Sequence, residues 1–222
     1  TFQNPTGSSI GETRRKHLVD LANEYDFQIF ADEVYQLIGF QEHTPKPMMN
    51  FDYGEKVISF GSFSKILAPG LRTGWIHASK KVVDKFSDAA LTFSGGGFNH
   101  YASALIKEVI DLGYLASNVL NLKEEYLSRA VQMDKSLSEH LSGVVSYSFP
   151  KGGYYFWLKF PEEFDSDVFL ELAEANGVSY RPGNAFSESG KFSRYLRLTY
   201  TLFEANEISE GIRRLSVAYQ DI

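Results

Sequence analysis

The chain has 222 residues, 43% of them hydrophobic, and its 22 Lys and Arg against 28 Asp and Glu give a formal charge of −6. That apolar supply excludes a wholly disordered chain, and the acidic balance argues against nucleic acid or an anionic membrane as the main partner. With no cysteine, disulfide scaffolds, thiolate zinc sites and cysteine nucleophiles are out. The five histidines form no pair at metal-ligand spacing, so no metal is expected, and no apolar run approaches the roughly 18 residues of a membrane helix.

The chain opens at Thr1 and reaches the turn sequence Asn4-Pro5-Thr6-Gly7 almost at once. Termini are seldom this ordered, so a fragment of a longer protein is expected, with any targeting segment lost. Ser9 to Glu12 reads S-x-x-E, which predicts a capping box. The helix after it places Leu18, Leu21, Ala22 and Tyr25 on one stripe. Phe27–Ala31 and Lys56–Phe60 read as buried strands, and Gly74–Ala78 as a third. Strands spaced by helical or irregular stretches favour a mixed or parallel α/β sheet.

From Tyr101 to Leu141 the pattern is helical, broken near Gly113 and resumed through Leu115, Val119, Leu122, Tyr126, Leu127 and Ala130. A helix of this length often bridges two domains. The last third reads as a small α+β unit. Tyr154–Phe160 and Tyr195–Thr201 are its strands, Asp167–Asn176 is a helix stopped by Gly177, and Glu204–Tyr219 is a closing amphipathic helix.

Four places could carry chemistry. Asp32 follows a strand and Tyr35 comes three residues later; ligands of open α/β sheets gather beyond such strand ends. An acid there can pair with a cationic ligand atom, or simply cap the next segment while Tyr35 packs. Ser62-Phe63-Ser64-Lys65 offers two hydroxyls and an amine, which suit a phosphate and a nucleophile. Pro69-Gly70-Leu71-Arg72 adds a guanidinium with glycines on either side. Ser62-Phe63-Ser64-Lys65 also matches the S-x-x-K motif of penicillin-binding hydrolases, with Ser62 as nucleophile and Lys65 as base, but S-D-N and K-T-G are absent. In the final strand Arg197 alternates with Leu196 and Leu198. It lies either at a wet edge or where its planar fork reads a carboxylate.

Taken in order, Asn4-Pro5-Thr6-Gly7, Asp32-Glu33-Val34-Tyr35, Ser62-Phe63-Ser64-Lys65, Pro69-Gly70-Leu71-Arg72 and Arg197 resemble the class I/II pyridoxal-phosphate aminotransferases of fold type I. Each piece is weak alone; five in order along nearly the whole chain are specific. The resemblance implies pyridoxal 5′-phosphate as cofactor, with Lys65 as the Schiff-base lysine and Asp32 paired with the protonated pyridine nitrogen. Asn4 and Tyr35 would hold the ring oxygen, and Ser62, Ser64 and Arg72 the phosphate. Arg197 would bind the substrate α-carboxylate, with Asn4 also at the substrate. The catalytic set is then Lys65, Asp32 and Tyr35, with Lys65 moving a proton as general base and acid.

The resemblance also implies amino acid and 2-oxo acid substrates and a homodimer in the full-length protein; the composition leads to no nucleic-acid or membrane partner being expected, and a cytoplasmic location is expected. Ser94-Gly95-Gly96-Gly97-Phe98-Asn99-His100 would be a loop near the dimer interface or a plain connection. In the family, a segment ahead of the N-P-T-G motif supplies a phosphate loop and a ring-stacking aromatic, and neither is in this chain. The expected architecture is therefore α/β, with a mostly parallel sheet in an incomplete large domain (1–112). A linking helix (113–142) and a small α+β C-terminal domain (143–222) would follow. Alone, these residues are expected to bind the cofactor weakly or not at all.

Three functions compete. The first is a transaminase, the second a lyase or synthase on the same scaffold. The third is the aminotransferase-like sensor domain of a transcription regulator. The wording around Arg72, together with Arg197, leans towards transamination. The 18 Phe, 13 Tyr and 2 Trp are explained by core packing and leave substrate identity open.

Overall fold

The computed structural model describes residues 1–40, 44–95 and 97–222; of the expected loop over 94–100, Ser94 and Gly95 close one helix, His100 opens the next, and Gly96 lies outside the described residues. Contacts divide the chain into two units: Thr1 with Ser9–Lys123, and Phe2–Ser8 with Glu124–Ile222.

In the first unit, helix α1 (Glu12–Glu24) buries Arg15, Val19 and Ala22, one face at helical spacing. Val19 and Ala22 form a core with Ile29, Met48 and Val57, and Leu18, Ala31, Met49 and Phe51 pack against it. The expected capping box is absent. The helix starts after Gly11, no side chain caps it, and the Glu12 carboxylate instead accepts from the Lys46 N–H at 3.2 Å.

Strand β1 (Ile29–Asp32) pairs in parallel with β2 (Val57–Ser62), and β3 (Gly74–His77) pairs with β2 antiparallel. The sheet is mixed for a physical reason. The link between β2 and β3, residues 63–73, holds two 3-10 turns and no α-helix, whereas a parallel crossover usually needs a helix. The strands are also less buried than their apolar runs imply. Ile29 faces the core, but Phe30 is 67% exposed and stacks on Phe60, centroids 6.0 Å apart.

Helices α2 (Lys80–Ser87), α3 (Ala90–Gly95) and α4 (His100–Asp111) follow, then α5 (Tyr114–His140). Asn99 caps α4 by accepting from the Ala102 N–H at 3.2 Å. The break expected near Gly113 is there: Gly113 takes φ 77° between α4 and α5, a conformation that glycine adopts without a Cβ penalty. The boundary between units falls inside α5. Early α5 is tied to the first unit by Asn118, whose Nδ2 donates to the Ile66 carbonyl at 2.7 Å, while Met133 and Leu137 belong to the second.

The second unit is built on β4 (Tyr155–Lys159), β5 (Arg181–Pro182) and β6 (Tyr195–Thr199), in the order β4-β6-β5, all antiparallel. Phe156, Leu158, Leu196 and Leu198 alternate inward along β4 and β6 and are buried. Helices α6 (Ser166–Ala175) and α7 (Ala205–Gln220) complete it. Asp165 caps α6, and a reciprocal Glu204–Glu207 capping box starts α7. Tyr126 and Phe156 each meet Tyr200 edge-on, and the Tyr200 hydroxyl donates to the Gly153 carbonyl at 2.6 Å. Burial raises the Tyr200 phenol well above its ordinary value.

Candidate active site

In the first unit, β1 and β2 run parallel with Asp32 in register with Phe60, so Asp32 and Ser62 end neighbouring strands on the same side of the sheet. This is where ligands of open α/β sheets gather. Asp32 is exposed, and its Oδ1 accepts from the Val34 N–H at 3.4 Å. Tyr35 is buried in the turn that follows.

Lys65 lies half-buried in the 3-10 turn Phe63–Lys65 directly after β2. The turn is stitched locally. Ser62 caps it by accepting from the Ser64 N–H at 3.2 Å. The Phe63 carbonyl accepts from the N–H groups of Ile66, Leu67 and Ala68 at 3.3, 2.9 and 3.1 Å, and the Phe63 N–H donates to the Thr73 carbonyl at 3.1 Å. Arg72 takes left-handed backbone angles (φ 49°, ψ 43°). That bend lets Nη1 donate back to Ser64 Oγ at 3.4 Å and to the Pro69 carbonyl at 3.2 Å. One short segment thus gathers two hydroxyls, an amine and a guanidinium beside the strand end that carries Asp32.

Two glycines shape the floor under this turn. A Cβ on Gly61 would lie 2.0 Å from the Trp75 ring, and one on Gly74 would lie 2.5 Å from the Gly61 carbonyl oxygen. Trp75 therefore lies over Gly61, with its ring 4.8 Å from that of the buried Phe63.

In the second unit Arg197 occupies β6, the central strand, so the wet-edge reading falls away. Its guanidinium lies 4.1 Å from the Tyr155 ring centroid and 5.0 Å from that of Phe186, within cation–π range. Nη1 donates to Asn4 Oδ1 at 2.6 Å. Asn4 stands in a tight turn, joined to Pro5 by a cis peptide bond and closed by the Gly7 N–H donating to the Gln3 carbonyl at 2.7 Å. Arg197, Leu198 and Thr199 line a cavity of about 710 Å³ together with residues of α7.

Sequence reasoning passed over Arg15 as a partner of the Asp32–Tyr35 segment. Its Nη1 lies 3.1 Å from Glu33 Oε1, in a pair whose side chains are only 3% and 7% exposed. An arginine on the buried face of α1 was the available signal. Tyr155 was passed over as well, because only the β4–β6 pairing brings its ring to Arg197.

The profile of the aminotransferase class I and II family matches residues 1–215. The chain belongs to this family. Among its relatives, the aromatic-amino-acid aminotransferase 1 of Thermococcus litoralis is 37% identical over 216 residues, covering 97% of this chain and 52% of that protein. Among solved structures, the Pyrococcus horikoshii kynurenine aminotransferase is in complex with PMP, with KYN as substrates and KYA as products. It matches with a TM-score of 0.90 at 33% identity, over 100% of this chain and 55% of that one. The HTH-type transcriptional regulator YdfD of Bacillus subtilis is 25% identical over 221 residues, covering 100% of this chain and 45% of that protein. The chain spans about half the length of the curated relatives it matches.

Family membership displaces the S-x-x-K hydrolase alternative and accords with the α/β class read from the sequence. Among the described residues, no helix is long and apolar enough to cross a membrane and no three His, Cys, Asp or Glu side chains gather as a metal site would require.

Proposed function

We propose that this chain carries the lysine-bearing half of a pyridoxal-phosphate-dependent transaminase, moving an amino group between an amino acid and a 2-oxo acid. The observation that carries the reading is the turn from Ser62 to Arg72, set at the carboxyl end of β2 beside Asp32 at the end of β1. The donor set fits the cofactor: an amine for its aldehyde, hydroxyls and a guanidinium for its phosphate, and a carboxylate for its ring nitrogen.

When bound, that group supplies an electron sink for a carbanion at the substrate α-carbon. Everything else falls to the chain. Ser62, Ser64 and Arg72 hold the phosphate through hydroxyls and a planar cation, the donors that suit tetrahedral oxyanions. Asp32 keeps the ring nitrogen protonated, since a nearby carboxylate favours a cationic form. Tyr35 and Asn4 take the ring oxygen. Lys65 would hold the cofactor through its Nζ and, when free, would take the proton from the substrate α-carbon as general base and deliver it as general acid to the cofactor carbon that had carried the aldehyde. Arg197, oriented by Tyr155 and Phe186, binds the substrate carboxylate and so fixes which α-bond is aligned to break. The substrates and the homodimer implied by the family belong to this reading.

Borohydride reduction of the whole protein with pyridoxal phosphate should leave the adduct on the Lys65 peptide, and Lys65→Ala should abolish it. Addition of an amino acid alone should convert the bound cofactor to its aminated form. A lyase or synthase would not stop there, and an adduct elsewhere would overturn the assignment. The likeness to YdfD supports a second reading, a sensor domain that takes the cofactor without turnover. An adduct on Lys65 with no amination by any amino acid would favour it.

A further inference from the structure

Glu33 stands between the two residues that the proposed reading needs at the cofactor ring, yet its side chain turns into the core of the first unit. Its carboxylate is thoroughly used. Oε1 accepts from Arg15 Nη1 at 3.1 Å and from the Met48 N–H at 2.8 Å, and Oε2 accepts from the Ser59 hydroxyl. Arg15 is engaged as completely. Its Nε donates to the Ile10 carbonyl at 2.8 Å and Nη2 donates to Thr1 Oγ1 at 2.5 Å. That hydroxyl donates onward to Gln36 Oε1 at 2.5 Å, and Gln36 Nε2 donates to the Pro45 carbonyl at 2.7 Å.

The network therefore grips Glu33 beside Asp32 and Gln36 beside Tyr35. It ties both to β2 through Ser59 and to α1 through Arg15. The Glu33 N–H completes the hold by donating to the Phe60 carbonyl at 3.0 Å. A buried ion pair adds little net stability compared with an apolar replacement of similar volume, because desolvating two charges offsets their attraction. Holding a geometry accounts for it better than stability does.

We propose that Arg15 and Glu33 are positioning residues that fix Asp32 and Tyr35 for the cofactor ring; this rests on the function proposed above. Neither touches the ligand. They act by clamping the backbone at Glu33, between the two residues that do, and through Thr1 at Gln36, just after the second.

The test separates position from stability. A single change leaves one charge buried and unpaired, so the decisive variant is Arg15→Met combined with Glu33→Gln, which removes both charges and keeps the packing volume. In the whole protein without cofactor, amides 33–38 of this double variant should exchange with deuterium about tenfold faster, while those of α1 and of Val57–Ser59 stay within about twofold. With pyridoxal phosphate added, its apparent dissociation constant should rise about tenfold, as expected when polar groups lose their alignment. Arg15→Lys, which keeps the charge but not the fork, should fall between the two.

Unchanged exchange at 33–38, or an equal rise across α1 and β2, overturns the proposal and leaves the pair as a structural staple. Because this measurement needs no cofactor, it stands apart from the function proposed above. Failure of that reading is seen instead as the absence of a reduced adduct on Lys65 in the unaltered protein.

Discussion

The Lys65 turn and the Arg197 strand reach order by opposite routes. Residues 62–73 close on themselves: Ser62 caps Ser64, the Phe63 carbonyl collects three N–H groups, and Arg72 returns to Ser64 and Pro69. Arg197 has little local support. Its neighbours Tyr155, Phe186 and Asn4 come from a partner strand, a 3-10 turn and a residue 193 positions away. A turn held mostly by its own backbone, with Asn99 and Asn118 reaching in from outside to the Leu71 and Ile66 carbonyls, depends little on the rest of its unit. A charge in the middle of a strand depends on the whole unit, because neighbouring strands supply its surroundings.

That contrast can be broken first at the core of the second unit. Phe156 is fully buried and meets Tyr147, Phe149 and Tyr200. Phe156→Ala should cost about 3–5 kcal/mol by removing a buried ring and leaving a cavity. Chemical denaturation read by near-ultraviolet circular dichroism would show it, with the aromatic signal around Arg197 lost first. A transition unmoved in midpoint would mean that Arg197 is held more locally than its contacts imply.

The Lys65 turn is tested through its floor. Gly61→Ala places a methyl group against the Trp75 ring, and should cost about 1–3 kcal/mol as the ring is forced aside. Trp75 fluorescence should shift with it, while the backbone bonds within 62–68 keep the turn protected from exchange. Loss of that protection would show that the turn leans on Trp75 after all.

The smallest effect belongs to an exposed cluster. Arg213 and Arg214 hydrogen-bond Glu210 and hold its carboxyl down at about 2, against an ordinary 4.5. A depressed carboxyl contributes stability that is full above its unfolded value and fades as the pH falls from about 4.5 towards 2. Because the cluster is open to water, the contribution is slight and salt-sensitive. Glu210→Gln should therefore narrow the melting difference between pH 5 and pH 2.5 only a little, and less so in high salt.

Much of this protein was legible without coordinates where the determinants are close in sequence. Gly113 ends one helix and opens the next, Gly177 stops α6 at φ 74°, and the alternation of Leu196 and Leu198 sets the inward face of β6. Ser62, Ser64, Lys65 and Arg72 sit in one segment, so a motif could gather them. Other features were misread because a local pattern has competitors. Ser9 and Glu12 have the spacing of a capping box, yet Glu12 is drawn to Lys46, a partner no window includes. Phe30 belongs to an apolar run, but strand alternation turns it outward.

By itself, then, the sequence determined the order of most elements, though not α2, α3 or the two-residue β5, together with the chemical types at the candidate site and the family to which they belong, because each depends on short spacings and residue chemistry. Only the tertiary structure decided that β3 runs antiparallel, that Arg197 lies on a central strand between aromatic rings, and that Arg15 reaches Glu33, the residue after Asp32. The physical reason is common to all three. Strand pairing, ring stacking and buried ion pairs are set by which surfaces exclude water together, and that is a property of the folded chain.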